Sequence, residues 1–397
     1  MPTSEAPLAG IVVLDLGQIY QGSYAGFLAA KAGAQVIKVE PPQGEPLRRR
    51  AEISGGSVPF AMLNCNKLGV TLDLKSERGR SVLAKMVGRA DALIENFAPG
   101  VMDRLGVGYE RLSAINPRLV YVSGSGYGLT GPDRDNLAMD LTVQAYSGLM
   151  SITGYPDRPP VKAGGAVVDF LGGTHLYGAL TTALFQRERT GAGRKVEVSM
   201  QETVYPTLAS NLGSYFASGE APRTANKHGG LAIAPYNVYR ASDGHVAVIV
   251  ITEQHWAGLL KAMGRGDLAD DPRLSTNAAR SRNMAVVDEL VEAWTATLTR
   301  SEVFETARAH GVPVAPVRDL GEVVNDPHMH ERGMLHWVDH PEVGRVVLHA
   351  SPLRFHGMAP VAYRTSPAKG ADNRAVYVDW LGLAEGEYRQ LVDDKVI

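Results

Sequence analysis

Asp169 closes an apolar run between two glycine pairs, in the segment Gly164-Gly165-Ala166-Val167-Val168-Asp169-Phe170-Leu171-Gly172-Gly173. A carboxylate in that setting can be approached closely. Its ordinary pKa of about 3.9 makes it an anion at neutral pH, able to attack a thioester without the neighbouring base that a serine requires. The segment therefore points to acyl transfer. A structural role competes with it: Asp is among the best helix N-cap residues, and a helix is expected over Thr174 to Arg187. From the local sequence alone the cap is the commoner explanation.

Other groups with chemical potential are weaker. Gly126-Tyr127-Gly128-Leu129-Thr130-Gly131 has the dinucleotide spacing G-x-G-x-x-G and follows the apolar run Leu119 to Val122. Pro132 comes straight after the third glycine, and no second strand ends in an acid at the ribose-binding distance, so no nicotinamide or flavin is expected. A mobile loop beside a site fits better. His328, His330, His336 and His340 cluster among Pro327, Gly333 and Pro341, without a metalloprotease helix motif, and read as surface histidines rather than a metal site. Cys65 is the single cysteine, which excludes an intrachain disulfide and fits a reducing compartment. Without evidence of a paired His it reads as a buried structural thiol. The basic run Arg48-Arg49-Arg50 is ordinarily a solvated face, although guanidinium groups also match phosphate geometry.

Bulk properties narrow the class. The chain has 397 residues, 45% of them hydrophobic and 21% charged, with a net charge of -2, which describes a soluble globular protein lacking the basic excess of nucleic-acid binders. The start, Met1-Pro2-Thr3-Ser4-Glu5-Ala6-Pro7, carries no basic segment followed by an apolar core. No stretch reaches membrane-spanning length, and a cytoplasmic location is expected.

The elements that must position Asp169 follow from periodicity. Apolar runs at Ile11 to Leu16, Gln35 to Glu40, Ala92 to Glu95, Leu119 to Val122 and Lys195 to Ser199 read as strands. Helix-like segments at Ala25 to Ala32, Ser76 to Arg89, Tyr109 to Ile115, Asp140 to Met150 and Gly173 to Arg189 alternate with them. That alternation predicts a parallel sheet covered by helices, because parallel strands need crossover connections. Composition changes near residue 220. Tyr236 to Arg240 and His245 to Val250, joined through Asp243-Gly244, predict a hairpin that opens a smaller α+β lobe. Helices are expected there at Trp256 to Met263, Ala285 to Leu298 and Ser301 to His310, with strands at Val312 to Val317 and Arg345 to His349. The expected division is a large domain at 1–220, a small domain at 221–350 and a C-terminal segment, 351–397, returning to the large one.

Four blocks carry a resemblance: Gly33 to Glu40; Asn64-Cys65-Asn66-Lys67 with Thr71-Leu72-Asp73-Leu74; Glu95 to Gly100 with Asp103-Arg104-Leu105-Gly106; and Asp157-Arg158-Pro159-Pro160 leading to Asp169. In this order they resemble the family III CoA-transferases of the formyl-CoA:oxalate type. The resemblance implies a Rossmann-like large CoA-binding domain, a smaller α+β domain and two chains interlocked as a homodimer. It makes Asp169 the nucleophile that carries an acyl anhydride and then a CoA thioester. It places Asn96, Phe97, Val101 and Arg104, with Met139 and Asp140, at the coenzyme A site. Departures matter as well. Met139 stands where a Tyr or His is often found, and the Gly-Gly-Gly-Gly-Gln loop of formyl-CoA transferases is missing, which leaves formyl-CoA and oxalate unsupported as substrates.

The expected function is transfer of CoA from an acyl-CoA thioester to a small carboxylic acid, with CoA thioesters as substrates, no permanently bound cofactor and no metal. Nucleic acid and membrane are not expected as partners. In outline, Asp169 attacks the donor thioester, the released CoA thiolate attacks the anhydride, and the acceptor carboxylate displaces Asp169. Gly172 and Gly173 would leave room for the intermediates, and nearby backbone N–H groups would stabilise the oxyanions. Lys38, Arg48, Arg49 and His228 are unranked candidates for the acceptor carboxylate. The alternative is an α-methylacyl-CoA racemase, which needs a pair of acid/base groups at the α-carbon, where Met139 cannot exchange a proton. A CoA-binding protein without catalysis is the third reading.

Overall fold

A computed structural model describes residues 5–50 and 56–397. Met1 to Ser4, on which part of the reading of the chain's start rests, lie outside the described residues. Contacts divide the chain into two compact units, the first made of Met1–Ser147, Gly164–Thr207 and Pro327–Ile397, the second of Gly148–Ala163 and Leu208–Asp326. The returning segment thus begins at Pro327 rather than at 351, and a short excursion, 148–163, leaves the large unit.

The first unit is built on a parallel sheet of six strands: β1 (Val12–Asp15), β2 (Gln35–Glu40), β3 (Leu68–Thr71), β4 (Ala92–Glu95), β5 (Val120–Ser125) and β6 (Arg194–Ser199). Their order is β3-β2-β1-β4-β5-β6, and every pairing is parallel. Alternate residues of each strand serve opposite faces, so both must be apolar. Val13, Val36, Ile94, Val120 and Val122 meet helices α1 (Gln21–Lys31) and α7 (Val167–Thr190) through Ala25, Ala29, Leu176 and Leu180. Leu14, Ile37, Val70, Leu93 and Tyr121 meet α3 (Glu77–Val87) and α5 (Tyr109–Ile115) through Leu83, Met86 and Leu112. The chain's end completes that second face: Val376, Tyr377 and Leu391 enter the same core, and the Tyr377 hydroxyl donates to Thr71 O at 2.7 Å.

Several elements lie outside the expected set, among them α2 (Val58–Asn64) and β3. The hairpin β10 (Leu335–His340) and β11 (Gly344–His349) belongs to this unit because Val343 and Leu348 pack on Ala61 of α2. The second unit has a three-stranded antiparallel sheet, β7 (Tyr236–Ala241), β8 (Gly244–Ile249) and β9 (Val314–Pro316). Helices Glu253–Ala262, Met284–Thr295 and Arg300–Ala309 pack their apolar stripes around it, burying Trp256, Leu259, Val287, Val291 and Val303. The α/β sheet and the smaller antiparallel lobe agree with the expected fold class. No helix among the described residues is long and apolar enough to cross a membrane.

Candidate active site

The strand order reverses direction between β1 and β4, and open parallel sheets bind ligands beyond the carboxyl ends of their strands at such a switch point. There the chain leaves β1 through Gly17-Gln18-Ile19 and leaves β4 through Asn96. Asn96 clasps the first loop: its Oδ1 accepts from Gln18 N at 2.7 Å and its Nδ2 donates to Gln18 O at 3.1 Å. The Asn96 amide is therefore spent on the loop. Ile19 sits at φ 56°, a strained conformation for a β-branched residue, and is pinned by its N–H bond to Glu45 Oε2 at 3.2 Å.

Beneath this loop lies a buried charge network. Lys67 Nζ donates to Asp15 Oδ2 at 2.7 Å, Ser23 O at 2.8 Å and Asn64 Oδ1 at 2.9 Å, which satisfies all three of its donors. Burial pulls the Lys67 ammonium down to about 8, with the facing Asp15 opposing that shift. The other oxygen of Asp15 accepts from Gly17 N at 2.8 Å, and Lys38 Nζ donates to Gly17 O. The Asn64-x-x-Lys67 block thus acts as a support for the loop at the switch point. Lys38 is fully buried and bonded there, which removes it from the set of cations open to an acceptor acid.

Helix α7 begins at Val167, before the Gly173 or Thr174 start expected from its sequence, with Ala166 as an N-cap that makes no side-chain bond. Asp169 is therefore in the first turn and does not cap the helix. The cap is supplied by Asp140, the first residue of α6 (Asp140–Tyr146), whose Oδ1 accepts from Val168 N at 2.9 Å and Asp169 N at 3.3 Å. Its Oδ2 accepts from Gln144 Nε2 at 2.5 Å. This placement leaves the Asp169 carboxyl half-buried with a second carboxylate beside it. Burial first, and the Asp140 charge second, push Asp169 up from 3.8 to about 7, while Arg50 opposes the shift. At neutral pH Asp169 is near half-ionised, not the full anion that its ordinary pKa implies. The compensation is basicity, since a carboxylate with a higher pKa is the stronger nucleophile.

Two further expectations are corrected. A Cβ at Gly172 would lie 2.8 Å from Gln21 Nε2, and one at Gly173 would lie 2.7 Å from Gln21 O. These glycines let α7 approach α1 and do not open space for intermediates. The N–H groups of Val168 and Asp169 are bonded to Asp140, so they are not oxyanion donors.

The remaining site candidates follow β4. Phe97 packs partly buried against the core, and Val101 and Arg104 are the ends of the short helix α4 (Val101–Arg104). Arg104 is exposed and has no carboxylate within salt-bridge distance among the described residues, as a phosphate-binding group requires. Arg104→Ala is expected to weaken CoA binding by about 1.5–3 kcal/mol with a smaller effect on turnover, measured by calorimetric titration with CoA. Met139 is 53% exposed and precedes the Asp140 cap.

Elsewhere the cations sort themselves. Arg48 is bidentate to Glu40, at 2.7 and 2.9 Å, and stacks on Phe60. Arg49 is exposed. His228 belongs to the second unit, where its Nδ1 accepts from Gly230 N and Leu231 N. Cys65 is buried beside Lys31. Of the histidines read as surface residues, His328 and His330 lie on a helix, Pro327–Glu331, whereas His340 is buried, and no group of His, Cys, Asp and Glu among the described residues could hold a metal ion. The Gly126 to Gly131 segment is followed by an irregular stretch to Met139, without the helix that a dinucleotide pyrophosphate needs.

The model of CoA-transferase family III matches residues 8–373. The chain belongs to CoA-transferase family III. A formyl-CoA:oxalate CoA-transferase of Streptomyces avermitilis is 37% identical over 98% of this chain and 99% of its own length. A succinyl-CoA–D-citramalate CoA-transferase of Chloroflexus aurantiacus is 35% identical over 98% of both. A CAIB/BAIF family protein from Brucella suis has a crystal structure that superposes with a TM-score of 0.85 at 33% identity, covering 96% of this chain and all of that one. In this family III chain, the matched region contains the switch-point loop, the Asp15–Lys67 support and Asp169 together.

Proposed function

We propose that this family III enzyme moves CoA from an acyl-CoA to a carboxylic acid through Asp169. The observation that carries the reading is Asp169 itself: a half-buried carboxyl of raised basicity, in the first turn of α7 beside Asp140. An Asp169 oxygen attacks the thioester carbonyl carbon, the C–S bond breaks, and CoA leaves as the thiolate. The thiolate then attacks the Asp169 carbonyl of the mixed anhydride, releasing the donor acid and leaving aspartyl-CoA. The acceptor carboxylate attacks that thioester, expelling the thiolate and forming a second anhydride. Attack of the thiolate on the acceptor carbonyl yields the new acyl-CoA and returns the Asp169 carboxylate. Each step exchanges one leaving group for one nucleophile, so the cycle needs no net proton, oxidant or metal. CoA thioesters serve as substrates, with Phe97, Val101, Arg104 and Met139 as the proposed contacts. Asn96 and Asp140 act as positioning residues, one on the Gln18 loop and one on α7. The relatives' names include two dicarboxylic acids, oxalate and citramalate, which supports a small dicarboxylate as acceptor.

Racemisation is the reading to separate from transfer. Incubation with a 2-methylacyl-CoA in deuterated water, alongside a panel of acids, is expected to show CoA exchange into at least one acid without α-deuterium. Rapid α-deuterium incorporation with no CoA exchange contradicts transfer. The family likeness also supports a homodimer of interlocked chains. An active monomer in dilute solution by analytical ultracentrifugation contradicts that assembly.

A further inference from the structure

We propose that Arg50 selects the acid substrate by binding a second carboxylate on it, so that this enzyme favours dicarboxylic over monocarboxylic acids of equal length. The inference rests on the Asp169 route above and adds the residue that reads the far end of the acid.

Three observations carry it. First, Arg50 is tied to the elements that carry Asp169. Its Nη1 donates to Tyr20 Oη at 3.3 Å and its guanidinium lies 6.0 Å from the Tyr20 ring centre. Tyr20 in turn stacks on Phe170, the residue after Asp169, at 5.7 Å and 23°. Tyr24 meets the same Phe170 edge-on at 4.9 Å, so Tyr20, Tyr24 and Phe170 form an aromatic wall linking Arg50 to the first turn of α7. Second, the charge of Arg50 is uncommitted: the side chain is exposed, and it has no ion pair among the described residues. Its neighbour Arg48 shows the contrast, being held by both oxygens of Glu40. Third, the local charge balance calls for a cation. Asp169 and Asp140 already place two carboxyls together, and an incoming acid adds one anion at the reacting carbon and another at its distal end. Consistent with that placement, the Arg50 charge favours the ionised form of Asp169.

The guanidinium fork suits a carboxylate bidentately, and the aromatic wall suits the methylene or alkene spacer between the two acid groups. A monocarboxylate of the same length would set a methyl group against Arg50 and leave the cation without its partner.

The test compares malonate, succinate and glutarate with the monocarboxylate of equal carbon number, using one acyl-CoA donor. The full chain is assayed as wild type, Arg50→Gln, Arg50→Lys and Arg50→Glu. Wild type is expected to prefer at least one dicarboxylate. In Arg50→Gln the ratio of kcat/KM for that acid over its monocarboxylate should fall about 10- to 100-fold, chiefly through KM, the size expected for a lost charged hydrogen bond. Arg50→Lys should recover part of the ratio, and Arg50→Glu should turn the preference toward the acid carrying a terminal ammonium, 4-aminobutyrate for the four-carbon set. A structural role for Arg50 would instead lower all acids alike. Trapping with hydroxylamine at Asp169, run in parallel, separates the two levels of failure. A hydroxamate in every variant with an unchanged acid ratio overturns the role of Arg50 alone. No hydroxamate and no transfer in wild type overturns the Asp169 route and this inference with it.

Discussion

Asp169→Asn is expected to abolish CoA transfer, by at least about 10⁴-fold in kcat, and at the same time to make the protein more stable at alkaline pH. The loss follows from removing the nucleophile. The gain follows from the pKa: burial and Asp140 raise Asp169 from 3.8 to about 7, so its charge is disfavoured in the folded state. An acid whose folded pKa is raised carries a stability penalty that is absent below the unfolded value, grows between the two values, and is complete above the folded one. The variant should therefore exceed wild type by about 4 kcal/mol at pH 8, and the two should converge as the pH falls from about 7 toward 4. Thermal unfolding across that range reads it directly. Equal stability at every pH would mean that the carboxyl is not raised. In the wild-type enzyme, kcat/KM for the acyl-CoA should climb with pH to a plateau above about 7. Asp140→Asn, which removes the neighbouring charge and keeps the Oδ1 that caps α7, should move that midpoint downward.

The second large effect lies under the site. Lys67→Met is expected to destabilise the first unit by about 3–5 kcal/mol, because it leaves Asp15 buried with only Lys38 nearby. Lys38 is 4.0 Å from Asp15 and also donates to Gly17 O. The same change should weaken CoA binding, since Asp15 Oδ1 holds Gly17 in the loop that Asn96 clasps. Denaturant titration of the single variant against the double variant Asp15→Asn/Lys67→Met provides the check. The double variant should recover part of the loss, because no unpaired charge remains. A single variant as stable as wild type would mean that the network supports nothing.

Much of the large unit was legible because its strands are continuous apolar runs separated by helix formers. Ala92 to Glu95 and Tyr109 to Ile115 were found with the bounds that the structure shows. β3 was missed because Leu68 to Thr71 is short and contains Gly69, whose place in the sheet depends on Pro367 and Asp372 far along the chain. The start of α7 was misplaced because Gly172-Gly173 reads locally as a break. Those glycines are instead where α1 comes close, a contact that no local window contains. Asp169 itself was visible by its setting, yet its raised pKa was not, since burial and Asp140 arise only when α6 folds beside α7. The three arginines looked equivalent in sequence. Only the fold commits Arg48 to Glu40 and sets Arg50 beside Tyr20, without an ion pair among the described residues.

The most direct test of the Asp169 route uses an acceptor acid labelled in its carboxylate with a heavy oxygen isotope. In the second anhydride the bridging oxygen comes from the acceptor, and attack of the CoA thiolate on the acceptor carbonyl leaves that oxygen on Asp169. After a single turnover with an acyl-CoA, the peptide containing Asp169 should be heavier by the mass of one labelled oxygen, rising toward two over repeated turnovers, and omitting the acyl-CoA should abolish the gain. Product formed at the wild-type rate with no label in that peptide would show that the acids exchange CoA without passing through Asp169.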